Sequence, residues 1–320
     1  MWMLMVNLIY SIPSLLLYFI TAIVIRKNWK KLKSSFFIWY LYDFAMNCLT
    51  MIFTFITLKT ASATCQTCLL APFYRTIQDT VISQFLYSMM YHMSYTQYCT
   101  TAVISVNRLS IILNHYTFEK LWLRFSIIPM FVICFAPFTV NFPIFSSNCT
   151  WGSREDKTFV LFCDVPSTRL YNPLIIFQVA CIICSIVCNF ISFLVVIKST
   201  TEIKKRLESN FIVLISITTV VQLAGTVITI ILNGNSNTSI YKVVHTYVLP
   251  FISDGFTIMH PWLLVVLSKP VRHLIRRDIF KFESASVEPH NSGATWQQPQ
   301  YQHNQQHIQQ NISRLTISKY

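Results

Sequence analysis

Seven long apolar segments constrain the fold of this chain more than any other feature of its sequence. They lie near residues 5–25, 34–58, 81–113, 125–145, 173–197, 210–232 and 242–267. As α-helices, they are long enough to cross the roughly 30 Å hydrocarbon core of a bilayer. Charged residues make up only 12% of the chain, against about 25% in ordinary soluble domains. The sequence therefore predicts an all-α membrane protein, built as a bundle of seven transmembrane helices.

Basic residues are distributed unequally between the two sets of loops. The regions that follow the first, third and fifth segments, together with the C-terminal tail, hold 19 of the 25 Lys and Arg residues. The opposite side holds the other 6, among them Lys59. Because positive residues concentrate on the cytoplasmic side of membrane proteins, we expect the N-terminus outside and the C-terminus in the cytoplasm.

The region after the seventh segment divides into two parts. Val271, Leu274 and Ile275 gather on one side of a helix that also carries arginines, which predicts a short amphipathic helix on the inner leaflet. Residues 282–320 are rich in Gln, His and Ser, a composition typical of disorder. The predicted organisation is a seven-transmembrane domain at 1–281 and a disordered cytoplasmic tail at 282–320.

Two acids, Asp43 and Asp254, fall within the predicted spans. A carboxyl group at such depth needs a partner, a proton or an ion. For Asp43 the sequence leaves open a polar or sodium site that couples helix movements and a neutral, hydrogen-bonded structural acid. Asp254 is either a contact for an amine in a ligand or a hydrogen-bonding partner of the third helix. We expect no intramembrane Lys or Arg to pair with it.

A stripe of aromatic residues runs along the third segment. Tyr87, Tyr91 and Tyr95 recur every four residues and so share one helix face, with His92 on a neighbouring face. Their depth suits the outer half of the bundle, where a ligand would bind. The alternative is a tyrosine face packed on the second and fourth helices, with its hydroxyls satisfied locally.

The predicted outer loops hold cysteines and glycosylation sequons. Two loops contain the cysteines expected to meet an oxidising compartment, where disulfides form: Cys65, Cys68, Cys149 and Cys163. Three pairings are open. The Cys-x-x-Cys spacing has no second pair or close histidine, so we expect no metal. Sequons at Asn148 and Asn237 predict glycosylation in outer loops.

Two stretches carry a resemblance to a known family. The first has Asn107-Arg108 closing the third segment, followed by Tyr116 and Glu119-Lys120-Leu121-Trp122. The second has Pro261-Trp262 in the seventh segment, followed by Arg272. They resemble the nematode serpentine receptor class gamma (Srg) superfamily, or a sister class such as class V, over roughly residues 5–281. The resemblance implies a chemosensory G-protein-coupled receptor in the plasma membrane of sensory cilia.

The resemblance also implies roles for particular residues. By analogy with rhodopsin-like receptors, Arg108 would be the arginine of the ionic lock, but Asn107 stands where the usual acid would restrain it. Asp43, Pro261 and Trp262 complete the predicted switch. Helical receptors of this shape often tie the second outer loop to the top of the third helix. That tie would pair Cys149 or Cys163 with Cys65 or Cys68.

The function predicted from these features is a ligand-gated conformational switch. A small external molecule would bind among the third, fifth, sixth and seventh helices, and the inner helix ends would then admit a heterotrimeric G protein. The predicted ligand-binding residues are Tyr87, Tyr91, His92, Tyr95 and Asp254. The alternative is a seven-helix ligand-gated ion channel or transporter. An enzyme is not expected, because the spans hold no HExxH motif and no close acid pair; nor is a cofactor or nucleic-acid partner.

Overall fold

The computed structural model describes residues 2–153, 157–198, 202–234, 241 and 243–279. Seven long helices confirm the predicted all-α bundle, and we label them α1 to α7. They are Trp2–Lys27, Ser35–Thr54, Val81–Leu113, Ile127–Phe145, Ser167–Lys198, Glu202–Gly234 and Leu249–Leu267. An eighth helix, α8, follows at Lys269–Ile279. The predicted tail at 282–320 and the sequon at Asn237 lie outside the described residues.

Six helices of the described residues are long and apolar enough to cross a membrane, and they are all of the seven except α3. Helix α3 has 33 residues, which is ample length, but its sequence is more polar. Its polar side chains are buried because α3 packs against α2, α4, α5 and α6. They include Ser83, Ser88, His92, Thr96, Thr100, Ser105 and Asn107. Helix α3 is therefore central, and neighbouring helices rather than lipid cover these groups.

Two π-helical turns alter the ends of α2 and α7. Helix α2 continues through a π turn at Phe55–Thr60 and a last turn at Ala61–Ala63, and a π turn at Val244–Val248 precedes α7. The predicted second segment ended at residue 58, which left Lys59 in a loop. The structure corrects this prediction, because the span runs over Ser35–Ala63 and contains Lys59.

The loop between α4 and α5 forms a β-hairpin that the sequence did not predict. Strand β1 (Cys149–Ser153) pairs antiparallel with β2 (Phe159–Cys163). Trp151 and Phe159 are buried and pack on Tyr74, which belongs to a short helix at Ala71–Thr76. This cluster continues onto the tyrosine stripe of α3. The hairpin thus covers the end of α3 that the charge distribution assigns to the outside.

The disulfides stay within their own loops. Cys65 is bonded to Cys68, and Cys149 is bonded to Cys163. The tie between the second outer loop and the top of the third helix, expected from helical receptors, is therefore wrong for this structure. The physical reason lies in the hairpin register, which places Cys149 directly opposite Cys163. A backbone bridge between Cys65 and Thr158 and the aromatic cluster join the two loops instead.

The predicted amphipathic helix is present as α8. Val271, Leu274 and Ile275 are buried in a cluster with residues of α1, α2 and α7. A further helix at His115–Phe125, which we call the inner-loop helix, was not predicted. Asn114 caps it, because its side-chain oxygen accepts a hydrogen bond from the Thr117 backbone N–H at 3.2 Å.

Candidate functional site

Two clusters of ionisable side chains lie inside the bundle, and both join α1, α2 and α7. The outer cluster is built on Lys59 and Asp254, whose Nζ and Oδ1 atoms are 2.5 Å apart. Their side chains are 0% and 4% exposed. Tyr10 of α1 donates a hydrogen bond to the other carboxylate oxygen of Asp254 and lies 2.7 Å from Asn7. The expectation that Asp254 has no intramembrane cation for a partner is therefore wrong.

The π turn in α2 explains how Lys59 reaches the interior. Asp43 points inward, and on a regular helix Lys59, sixteen residues later, would point roughly 160° away from it. A π turn closes its hydrogen bonds over five residues instead of four and so rotates the side chains that follow it. Lys59 lies within that turn and is buried against α7. The sequence gives no sign of the turn, which is why Lys59 was missed.

The inner cluster is built on Asp43 and His260. His260 Nδ1 lies 2.9 Å from the Asp43 carboxylate. The same carboxylate accepts hydrogen bonds from the Tyr18 hydroxyl at 2.7 Å and the Asn47 amide at 2.8 Å. Asp43 is therefore a hydrogen-bonded acid with partners on α1, α2 and α7.

The inner cluster also reaches α3 and α6. Gln97 of α3 donates to Asn47 at 2.9 Å, and Thr218 of α6 lies 3.3 Å from His260 Nε2. A cavity of about 20 Å³ lies between Asp43, His260 and Thr218, which is room for about one water molecule. Among the described residues, no group of three or more His, Cys, Asp or Glu side chains is arranged to hold a metal ion.

The rings of the tyrosine stripe contact α5 and share a packed cluster with the hairpin. The hydroxyls of Tyr87 and Tyr91 are 3.3 Å apart, and the Tyr91 ring meets Tyr171 of α5 edge-on. Tyr95 packs on Phe177 of α5, with ring centroids 5.1 Å apart. The stripe is therefore a packed layer under the hairpin.

The remaining predicted ligand-binding residues point elsewhere. His92 turns towards α4, where its ring centroid lies 4.2 Å from that of Phe138. Asp254 pairs with Lys59 and Tyr10 on α2 and α1. The structure thus brings Tyr87, Tyr91 and Tyr95 together and directs the other two residues to separate neighbours. The neighbour that each of these side chains contacts depends on how its helix is rotated in the bundle, and the spacing of residues in the sequence does not report that rotation.

Three residues of the first motif, Asn107, Arg108 and Glu119, lie at the N-terminus of α2. Ser35, its first residue, donates hydrogen bonds from its backbone N–H and its hydroxyl to Glu119 of the inner-loop helix, at 2.7 and 2.8 Å. Asn107 donates from its side-chain amide to the Ser35 hydroxyl at 3.0 Å. Arg108 lies over the ring of Phe36, 4.0 Å from the ring centroid. A carboxylate at a helix N-terminus satisfies free N–H groups and complements the helix dipole.

The second motif, Pro261-Trp262 followed by Arg272, places one residue on the surface of the bundle and one at the C-terminal end of α7. Trp262 donates from its indole N–H to the Ser14 hydroxyl at 2.9 Å and is 48% exposed between α1 and α7. Pro261 is buried within α7. Arg272 donates to the Val266 carbonyl at 2.9 Å and so caps the C-terminus of α7. Of the predicted switch residues, Asp43 lies in the inner cluster and Trp262 at the surface.

Polar contacts outside the spans hold α8 against the residue that follows α1. Asn28 donates to Asp278 of α8 at 2.7 Å, and Arg277 donates to both Asp278 and Asn28. The hydrogen bond from Arg277, followed by that from Asn28, lowers the pKa of Asp278 from 3.8 to about 2. At the other end of the bundle, Asn148 is exposed in the loop before β1, where its sequon is accessible.

Comparisons with known proteins identify the family that this chain resembles over nearly its whole length. The profile of the Srg family chemoreceptors matches residues 4–275, which include the seven helices and part of α8. A curated relative is the serpentine receptor class gamma-31 of Caenorhabditis elegans. It is 22% identical over 291 residues, which cover 87% of this chain and 93% of that protein.

Proposed function

The chain belongs to the Srg family of chemoreceptors, and we propose from that premise that it binds a small external molecule and signals to a heterotrimeric G protein. This family is a receptor family rather than an enzyme class, and the chain is a multi-pass membrane protein. We further propose that it acts in the plasma membrane of sensory cilia, with its N-terminus outside and its C-terminus in the cytoplasm.

The observation that carries the proposal is the pair of ionisable clusters shared by α1, α2 and α7. Asp254 and His260 are six residues apart on α7, which is about 9 Å along the helix axis. Each cluster links the same helices, so a shift of α7 that separates Lys59 from Asp254 also changes the contact between His260 and Asp43. A ligand that binds the two arrangements differently therefore shifts their populations.

The ligand contacts are part of the proposal. We place them in the outer half of the bundle, at the tyrosine layer of Tyr87, Tyr91 and Tyr95 and at Asp254, and we leave out His92, which turns towards α4. The tyrosine layer offers aromatic faces and hydroxyls under the hairpin, and Asp254 offers a carboxylate on α7. Because Lys59 already neutralises this carboxylate, an amine in the ligand would have to displace it.

The cytoplasmic output is proposed to involve the N-terminus of α2. Asn107, Ser35 and Glu119 form a chain of hydrogen bonds that ties α3, α2 and the inner-loop helix together. Arg108 adds a cation–π contact with Phe36 beside them. A G protein that binds among the inner helix ends would have to alter this arrangement, so these contacts hold the unoccupied state.

The test is ligand-evoked G-protein activation in cells that express the full chain. Energy transfer between tagged Gα and Gβγ subunits is followed while fractions of a small-molecule library are applied. Arg108→Ala removes a contact that holds the unoccupied state, so it should raise the ligand-independent signal at equal surface expression, whereas Arg124→Ala, which changes an exposed arginine of the inner-loop helix, should leave that signal unchanged. A ligand-evoked current that persists after the G proteins are inactivated would contradict the proposal and favour the channel.

A further inference from the structure

A groove between α1 and α7 opens on the surface of the bundle. It has a volume of about 380 Å³. Phe251 and Trp262 line it and are 42% and 48% exposed. Both belong to a helix that is long and apolar enough to span a membrane, so we expect the mouth of the groove to meet the hydrocarbon of the bilayer.

The floor of this groove is polar. It contains Asp254, Tyr10 and Ser14. Asp254 is the acid of the outer cluster. Polar groups on a membrane-facing surface raise the free energy of the protein, so they often mark a functional site. The groove therefore combines an apolar wall with a set of hydrogen-bonding groups at one place, as small-molecule sites do.

The charge of the floor is already balanced. Asp254 Oδ1 lies 2.5 Å from Lys59 Nζ, so the pair as a whole is neutral. A cationic head group would place a second positive charge near Lys59, and an anionic one would face the Asp254 carboxylate. An uncharged head group meets neither repulsion.

The donor protons of the floor are also engaged. The Trp262 indole N–H donates to Ser14, the Ser14 hydroxyl donates to the Tyr10 carbonyl at 2.7 Å, and the Tyr10 hydroxyl donates within the outer cluster. The Asp254 carboxylate and the Tyr10 hydroxyl oxygen keep lone pairs that can accept further hydrogen bonds. The floor thus favours a ligand that donates a hydrogen bond, as an alcohol does, over one that only accepts, as a ketone does.

We infer that this groove binds an uncharged amphiphile from the bilayer, with a hydroxyl group that donates to Asp254 or Tyr10 and a hydrocarbon part along Phe251 and Trp262. This inference names the class of ligand for the proposed receptor and therefore rests on the proposed function. The hairpin supports a lateral route, because its buried Trp151 packs in one cluster with Tyr91 and Tyr95 and so covers the tyrosine layer.

Size alone does not single out this groove. A second groove, between α1 and α2, is larger, at about 580 Å³. It is lined mostly by apolar residues such as Ile23 and Phe44, with Arg26 among them, and it contains no carboxylate. The second groove therefore offers a control for lipid-like molecules that settle in any crevice of the surface.

The experiment uses the full-length protein in phosphatidylcholine nanodiscs and three photoreactive probes of equal chain length. One probe is a long-chain alcohol, one an alkylammonium and one a fatty acid. The labelled peptides are identified by mass spectrometry. The alcohol should label the α7 segment at 251–262 most strongly. Met259→Trp, which fills the groove, should weaken labelling by the alcohol about tenfold, while Ile23→Trp in the second groove should leave it unchanged.

A second variant distinguishes loss of the binding site from misfolding of the protein. Phe251→Ala shortens an exposed wall residue and should also weaken labelling by the alcohol without filling the groove. Stronger labelling by the alkylammonium or the fatty acid, equal labelling of both grooves, or the absence of labelling at 251–262 would overturn the inference. A protein that activates G proteins but is never labelled in this groove refutes the inference alone. A protein labelled as expected that activates no G protein refutes the proposed function alone.

Discussion

Removing one member of the Lys59–Asp254 pair should destabilise the protein far more than removing both. At an effective dielectric constant of about 20, two unit charges 2.5 Å apart attract each other by roughly 7 kcal/mol. Burial of each ion costs several kcal/mol in lost hydration, which offsets most of that attraction. The pair therefore contributes little net stability. A lone survivor, however, keeps its hydration cost without the compensating attraction.

Three variants separate these contributions. Lys59→Met and Asp254→Leu should each lower the free energy of unfolding by about 3–5 kcal/mol. The double variant should lie within about 1 kcal/mol of the wild type or be more stable, because it leaves no buried charge. Tyr10→Phe is the matched control. It removes one hydrogen bond to the same carboxylate and keeps the pair, so it should cost about 1.5–3 kcal/mol.

The assay is reversible unfolding of the purified protein in mixed micelles, followed by circular dichroism. The coupling energy is the difference between the cost of the double variant and the summed costs of the two single variants. We expect a coupling of several kcal/mol. Single costs that simply add in the double variant would mean that the two side chains do not compensate each other, and would refute the reasoning.

Three further predictions concern surfaces outside the spans. Glu119→Ala should destabilise the contact between the inner-loop helix and α2 by about 1 kcal/mol, seen as faster amide hydrogen exchange at Ser35, whereas Lys120→Ala should not change that exchange. The pKa of Asp278 is lowered, so its contribution to the docking of α8 is complete above its ordinary pKa of 3.8 and is lost as the pH falls towards 2. After correction for the intrinsic pH dependence of amide exchange, the protection factors of α8 should therefore fall over that range in the wild type, and Asp278→Asn should remove this fall. Asn148→Gln should reduce a glycosidase-sensitive shift in electrophoretic mobility, and combining it with Asn237→Gln should abolish the shift; a shift that Asn148→Gln leaves unchanged would contradict glycosylation at the hairpin.

The sequence predicted the helices well because hydropathy and length are local properties. The third segment was predicted at 81–113, and the helix occupies Val81–Leu113. The amphipathic α8 was predicted from the alternation of apolar residues such as Val271 with arginines. These features need no knowledge of which helices are neighbours.

The sequence did not predict the outer cluster because two features that hydropathy does not report define it. Lys59 and Asp254 are 195 residues apart, and their contact depends on helix order and rotation. A π turn then directs Lys59 inward against the regular helical period. The hairpin was missed for a related reason, since its short strands gain their stability from packing Trp151 and Phe159 on another loop.

The surroundings of Arg108 contain an acid that the sequence around Asn107 does not indicate. Asn107 stands where rhodopsin-like receptors carry an acid, which suggested that the acidic restraint is missing. The structure places an acid, Glu119, in the same neighbourhood, but it binds the N-terminus of α2 through Ser35 rather than Arg108. Asn107 joins that contact, and Arg108 packs on Phe36 of the same helix. Helix α2 therefore connects the carboxylate to the arginine, so a rearrangement of Arg108 must also disturb the α2 N-terminus and the inner-loop helix bound to it.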